Sequence, residues 1–321
     1  MSERTSEQFR RSQSRATVEV VGVPMDLGAN RRGVDMGPSG VRYAGLAEKL
    51  IEIGYRVKDR GNIRVADPEE GRPTHAYQKI THVEGKPTPH NVVEIIRACE
   101  ELADVVAYIV RAGNVPLVLG GDHSMAMGTI AGLDRAGKRA GVIWIDAHGD
   151  SNTPDTSPSG NVHGMPFAVA LGLAGEPFPD SLRGSTDGKH GVLLAIRDID
   201  PGERDNIKRS GVTAITMADI DRIGMAEAMK KAIAVAGAAP GGIHVSLDMD
   251  SLDPDEAPGV GTPVRGGLTY REAQLAMEML AASGKVRSIE VAEVNPILDV
   301  SNRTASLAVE LVASALGETI L

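Results

Sequence analysis

The run Gly141–Asn152 reads GVIWIDAHGDSN, and its two halves obey different rules. Val142, Ile143, Trp144 and Ile145 are an unbroken apolar run, the mark of a strand buried on both faces of a parallel sheet. Asp146, His148 and Asp150 then follow at every second position. Side chains two apart in extended chain share a face, so two carboxylates and an imidazole are expected in one cluster at the strand's carboxyl end. Open parallel sheets bind their ligands at that edge.

Runs of the same kind recur on either side. Besides Gly141, strands are predicted for TVEVVGV from Thr17, YRVKDRG from Tyr55, VPLVLG from Val115 and GVLLAI from Gly191. VTAIT from Val212, GIHVSLD from Gly242 and VRSIEVA from Val286 complete the set. Periodic apolar segments lie between them, such as SGVRYAGLAEKLIEI, entered through Gly37 and Pro38, where proline suits a first helical turn. Strand and helix in alternation predict an α/β fold, three αβα layers around a mostly parallel, about eight-stranded sheet. Residues 17–321 are expected to form a single domain and residues 1–16 a disordered tail. The polar, proline-rich segment 66–90 reads as a surface excursion. Its His75, His82 and His90, together with His190 and His244 elsewhere, read as solvated loop histidines.

A net charge of −9 over 321 residues argues against nucleic acid and anionic membranes as partners. The single cysteine, Cys99, excludes an internal disulfide framework and fits a reducing, cytoplasmic setting. It lies in the helical pattern NVVEIIRACEELADVVAYIVRAG, where it reads as a small buried apolar residue. No run of about 18 apolar residues suggests a membrane span, and the first residues lack the apolar core of a secretory signal.

Three predicted strands end in residue types that ligate metals. LVLGGDHS brings His123, WIDAHGD brings Asp146, His148 and Asp150, and VSLDMDSLDP brings Asp248 and Asp250. A D-x-H-x-D or a D-x-D alone is more often a cap or turn; both at strand ends, beside G-G-D-H, make a site. Asp122 reads as a supporting or turn residue, and Asp253, before Pro254, as a turn residue. Four carboxylates at a dry edge are costly unless neutralised, and two divalent cations cancel them. Oxygen-rich ligation with one histidine per ion favours Mn²⁺ over Zn²⁺ or Ca²⁺. A paired site lowers the pKa of a shared water, and the hydroxide so formed attacks an sp² carbon. A guanidinium needs that nucleophile, and its N–H fork suits carboxylates.

GGDHS, DAHGD and SLDMDSLDP resemble the three signatures of the ureohydrolases, the family of arginases and agmatinases, and the likeness covers nearly the whole chain after residue 16. The resemblance implies two Mn²⁺ per chain. His123, Asp146, Asp150 and Asp248 would hold one; Asp146, His148, Asp248 and Asp250 the other, with Asp146 and Asp248 bridging. NTPDTSPSGNVHGMP resembles the loop with which arginases grip the α-carboxylate of L-arginine. That likeness implies contacts from Asn152 and Ser159 and, through water, Ser157. IRDIDPGE resembles the arginase segment for the α-amino group, assigning Asp200 with Glu203 further out. EVNP supplies Glu293 for the guanidinium, GVGTPVRGG supplies Thr262 near the same end, and His163 matches the family's proton-transfer histidine, with Asp150 as intermediary.

The activity so implied is hydrolysis of L-arginine to L-ornithine and urea by a hydroxide activated between manganese ions, in a homotrimer or homohexamer. Agmatine has no α-carboxylate, and agmatinases lack this loop as written, so a hydrolase of agmatine or a guanidino acid is the nearest alternative. A binding protein that keeps the fold and metals conflicts with the intact Glu293, His163 and six ligands. A deacetylase on a related fold conflicts with the paired ligand set, since that chemistry normally uses one Zn²⁺.

Overall fold

A computed structural model describes residues 16–66, 82–83, 86–87 and 89–319. Its strands are β1 (Thr17–Val23), β2 (Arg56–Asn62), the two-residue β3 (His82–Val83) and β4 (Lys86–Pro87), and β5 (Val115–Gly120). Then follow β6 (Gly141–Ile145), β7 (Gly191–Ile196), β8 (Thr213–Thr216), β9 (Ile243–Asp248) and β10 (Val286–Ala292). β3 and β4 pair antiparallel with each other. The other eight form one sheet in the order β2-β1-β5-β10-β9-β6-β7-β8, every neighbouring pair parallel. All eight strand predictions fall in this sheet.

Alternate residues on the strands feed two helical layers, as the pleat requires. Leu117, Leu119, Ile143 and Ile145 pack toward helices Met225–Ala236, Tyr270–Ser283 and Arg303–Ala315. Val118 faces helix Val92–Arg111, and Val142 and Trp144 face Ala126–Arg135 and Pro166–Ala170. β6, β7 and β9 are buried throughout; β6 and β7 read as unbroken apolar runs for that reason, while β9 buries His244 and Ser246 among its apolar residues. β2, at an edge, keeps exposed Arg56, Lys58 and Asp59 instead, charges that discourage further pairing.

Three expectations are corrected. The stretch after Pro38 is two helices, Gly37–Tyr43 and Leu46–Glu52, because Gly45 between them takes a left-handed φ of 87°. His244 lies inside β9 and is fully buried; its partners stand on β10, 44 residues or more away in sequence. His90 and His190 are half-buried rather than solvated, with the His190 ring 3.3 Å from the Val235 carbonyl. The expected tail and most of the 66–90 excursion, His75 included, lie outside the described residues.

The strand order places the site. β5, β10, β9 and β6 are consecutive neighbours at the centre. Pairing of Ile145 with Leu247 makes the next residues, Asp146 and Asp248, emerge side by side. The double glycine after β5 lets its turn nest against the end of β1: a Cβ on Gly121 would sit 1.9 Å from the Met25 carbonyl oxygen, and Asp122 N–H donates to that carbonyl at 2.6 Å. Gly121→Ala is therefore expected to destabilise the fold by about 1–3 kcal/mol through overpacking, measured as a lower melting temperature. An unchanged transition would contradict the close approach.

Candidate metal centre and substrate cleft

The two acidic motifs converge by turns, not by strand alternation. β6 ends at Ile145, and His148 N–H donates to Asp146 Oδ1 at 2.7 Å. Asp250 N–H likewise donates to Asp248 Oδ1 at 2.7 Å as the chain leaves β9 in a 3₁₀ turn. In each case a carboxylate caps the amide two residues on, the Asx-turn habit of aspartate. Asp150 then takes a left-handed φ of 46°, a conformation uncommon outside glycine.

His123 Nδ1 lies 3.2 Å from Asp146 Oδ2, 3.2 Å from Asp150 Oδ2 and 3.0 Å from Asp248 Oδ2. His148 Nδ1 lies 3.4 Å from Asp146 Oδ1 and 3.2 Å from Asp250 Oδ2. The ligating atoms of His123, Asp146 and Asp248 form one compact group, those of Asp146, His148 and Asp250 a second, with Asp146 in both. Every one of these residues is buried except His148, which is partly open.

The donor set fits cations. His123 Nδ1 is buried with no hydrogen-bond partner, although three carboxylate oxygens face it. One nitrogen satisfies at most one of them. Atoms bound at about 2.1 Å around a shared ion stand about 3 Å apart at right angles, close to the spacing found. Surrounding contacts hold the ligands rigid. His123 stacks on Trp144 at 4.1 Å, Trp144 stacks on Phe167 at 5.0 Å, and Trp144 Nε1 donates to Asp146 Oδ2 at 2.8 Å.

Proton affinities are reshaped by this crowding. Burial opposes charge on His123, yet the facing carboxylates of Asp146, Asp150 and Asp248 outweigh it and hold the imidazole well above its ordinary range. Burial likewise works against charge on His148, and Asp250 and Asp146 override it upward. Burial, then Asp250 and Asp146, push Asp248 up. Burial and the charge of Asp146 raise Asp150 to about 6.

Above this floor opens a cleft. Its lining includes each predicted substrate contact: Asn152, Ser157, Ser159, Asp200, Glu203, Thr262 and Glu293, together with His163. Asn152 Nδ2 donates to Asp200 Oδ2 at 2.9 Å, so the expected carboxylate donor and ammonium acceptor are neighbours. Asp200 opens helix Pro201–Ser210 in a capping box with Glu203. Glu203 also accepts from Ser151 N–H at 2.8 Å, and burial pushes it up to about 8. Thr262 Oγ1 donates to Asp250 Oδ2 at 3.0 Å.

Glu293, with φ 63°, accepts from His123 N–H at 3.0 Å and lies 3.0 Å from His163 Nδ1. Burial resists charge on His163, but Glu293 wins and lifts it to about 9. Asp122 accepts from Gly28 and Ser124 amides, and Asp253 from those of Asp255, Gly266 and Gly267, the supporting and turn roles predicted for them. The sequence reading missed Asn161 and Asp198, which also line the cleft. Asn161, two residues before His163 in the same loop, keeps a buried Oδ1 without a hydrogen-bond partner.

A parallel sheet carrying aspartate–histidine groups that could hold metal ions beneath a polar cleft suits a hydrolase. The Arginase family profile matches residues 16–317. The chain is 48% identical over 307 residues to the arginase of Bacillus caldovelox, covering 95% of this chain and 99% of that one. It superposes on the crystal structure of the Bacillus caldovelox arginase with a TM-score of 0.86 at 47% identity, over 95% of this chain and all of the other. The Entamoeba histolytica arginase, solved in complex with L-ornithine, gives a TM-score of 0.81 at 31% identity, over 94% and 99% of the two chains. The chain belongs to the arginase family.

Cation binding is expected to release protons. Without an ion the site holds protons more tightly than free side chains do, since His123, His148 and Asp248 are all raised. A divalent ion must displace them, so its affinity falls as pH falls, and falls further near pH 6, where Asp150 protonates. Calorimetry in buffers of different ionisation enthalpy measures this release; affinity independent of pH between 6 and 8 would contradict it.

Proposed function

We propose that the protein hydrolyses L-arginine to L-ornithine and urea, with two Mn²⁺ ions in its site. The observation that carries this reading is the coexistence of two aspartate–histidine groups sharing Asp146 with an Asn152–Asp200 pair in the cleft above them. A guanidinium at the floor and an amino-acid head at the rim suit that division.

His123, Asp146, Asp150 and Asp248 would hold one ion; Asp146, His148, Asp248 and Asp250 would hold the other. When bound, the ions supply an activated water and offset the charge of the buried carboxylates. Glu293 receives the guanidinium, and Thr262, bonded to Asp250, borders the same end. Asn152 and Ser159 donate to the α-carboxylate, with Ser157 behind them; Asp200, backed by Glu203, accepts from the ammonium. The water loses one proton to Asp150 as its oxygen bonds to the guanidinium carbon, the bond from that carbon to the chain nitrogen breaks as the nitrogen takes that proton, and the remaining water proton restores the one that His163 gives to the departing amine. His163 is held protonated at neutral pH by Glu293 for that step.

We further infer that residues 17–321 act as one domain, assembled as a trimer or a hexamer, in the cytoplasm. The family likeness supports the assembly, which light scattering measures; the lone Cys99 suits a reducing compartment. Among the described residues no helix is long and apolar enough to cross a membrane.

Urea release from L-arginine, measured after chelation with and without added Mn²⁺, tests the reading: activity returns with manganese, and L-arginine is turned over faster than agmatine. Preference for agmatine would overturn the substrate assignment. His163→Ala should slow turnover by about 10²- to 10⁴-fold, the usual contribution of a general acid, with both ions retained; unaltered turnover across pH contradicts the relay. Asp146→Ala should lose both ions, and a metal assay still finding two per chain would refute the bridge.

A further inference from the structure

Beneath the metal centre runs a line of buried polar groups that the proposed reaction does not use. His123 Nε2 lies 2.7 Å from Ser246 Oγ, and Ser246 Oγ donates to Glu290 Oε1 at 2.7 Å. His244 Nε2 stands 3.1 Å from that same carboxylate oxygen, and His244 Nδ1 is 2.8 Å from Ser288 Oγ. Ser246, Glu290, His244 and Ser288 are all fully buried, side by side on β9 and β10.

A carboxylate in the middle of a sheet is expensive, and a buried ion pair is often no better than apolar packing. Its retention calls for a task beyond stability. Donor arithmetic supplies one. A serine hydroxyl has one proton, and Glu290, an acceptor when ionised, takes it. Burial alone would raise Glu290, but the His244 ring facing it at 3.1 Å outweighs burial and holds the group low. Ser246 Oγ is then left with lone pairs only toward His123, so His123 Nε2 must donate. The imidazole proton is thereby fixed on the side away from the aspartates, leaving Nδ1 free to ligate.

We propose that the Glu290–His244 pair is a positioning device for the metal centre, acting through Ser246 to commit His123 Nδ1 to a cation. The proposal rests on the dinuclear reading above. It assigns the effect to one ion, because His148, the imidazole of the second group, has no link to this line among the described contacts.

The test is Mn²⁺ binding to the full chain by calorimetry and metal analysis, for the natural protein, Glu290→Leu, Glu290→Gln and Ser246→Ala. Without an acceptor at position 290, Ser246 can donate to His123 Nε2 and release the tautomer. Glu290→Leu is expected to weaken one of the two ions by about 10- to 100-fold, the usual cost of losing a ligand's supporting bond, and to leave the other unchanged. Glu290→Gln, which keeps an acceptor oxygen, should restore most of that affinity. Ser246→Ala, which leaves the Glu290–His244 pair intact, should reproduce the selective loss even where Glu290→Leu fails to fold. Two ions bound as tightly by Ser246→Ala and Glu290→Leu as by the natural chain would overturn the proposal alone. Equal weakening of both ions, or no rescue by glutamine, would also overturn it. A natural chain that binds no manganese would remove the dinuclear reading and this proposal together.

Discussion

Asp146, Asp150, Asp248 and Asp250 are buried together, facing two imidazoles among the described residues. Four like charges in a low-dielectric place repel strongly, and the rest of the architecture answers that repulsion. Protons meet it when no cation is bound, which is why His123, His148 and Asp248 are all shifted upward. The two divalent cations proposed for the site would meet it more completely and drive those protons off. The binding energy of the site and its proton chemistry are therefore one quantity seen from two sides.

Holding such a cluster together takes a rigid frame. The four central strands supply it, with their carboxyl ends in register and their apolar bodies buried in two layers. Strain collects where the frame hands over to the site. Asp150, Glu293 and Ala195 all have positive φ, and none is glycine. Such conformations persist only when the surroundings over-determine them. Ala195 marks a bulge in β7, after which the amides of Arg197 and Asp198 turn back to donate to the Ala147 carbonyl. The Arg197 guanidinium then donates to the carbonyls of Asp250, Ser251 and Val264, tying the turn that carries Asp250 to the segment after Thr262.

Much of this was legible in the chain because burial writes itself as pattern. β6 and β7 are apolar without interruption since both their faces are covered, and the break from Ile145 to Asp146 marks where the strand gives way to the site. The members of the acidic cluster were legible for the same reason, since carboxylates at dry strand ends need a compensating charge. The path by which they converge was not. Alternation predicted a shared face, whereas the structure uses capped turns, set by hydrogen bonds that no period encodes. His244 was misread because its partners, Ser288 and Glu290, are distant in sequence and adjacent only through the pairing of β9 with β10. Asn161 and Asp198 lie inside the quoted NTPDTSPSGNVHGMP and IRDIDPGE segments, yet nothing in those strings sets them apart, and only the closure of the cleft gives them a place.

Catalysis, specificity and proton balance all descend from the claim that two cations sit among six side chains with Asp146 between them. Anomalous scattering from a crystal of the protein grown with manganese measures this most directly. The account predicts two peaks per chain, one beside His123 Nδ1 and one beside His148 Nδ1, with Asp146 touching both. A single peak, or manganese found only outside this cluster, would contradict it.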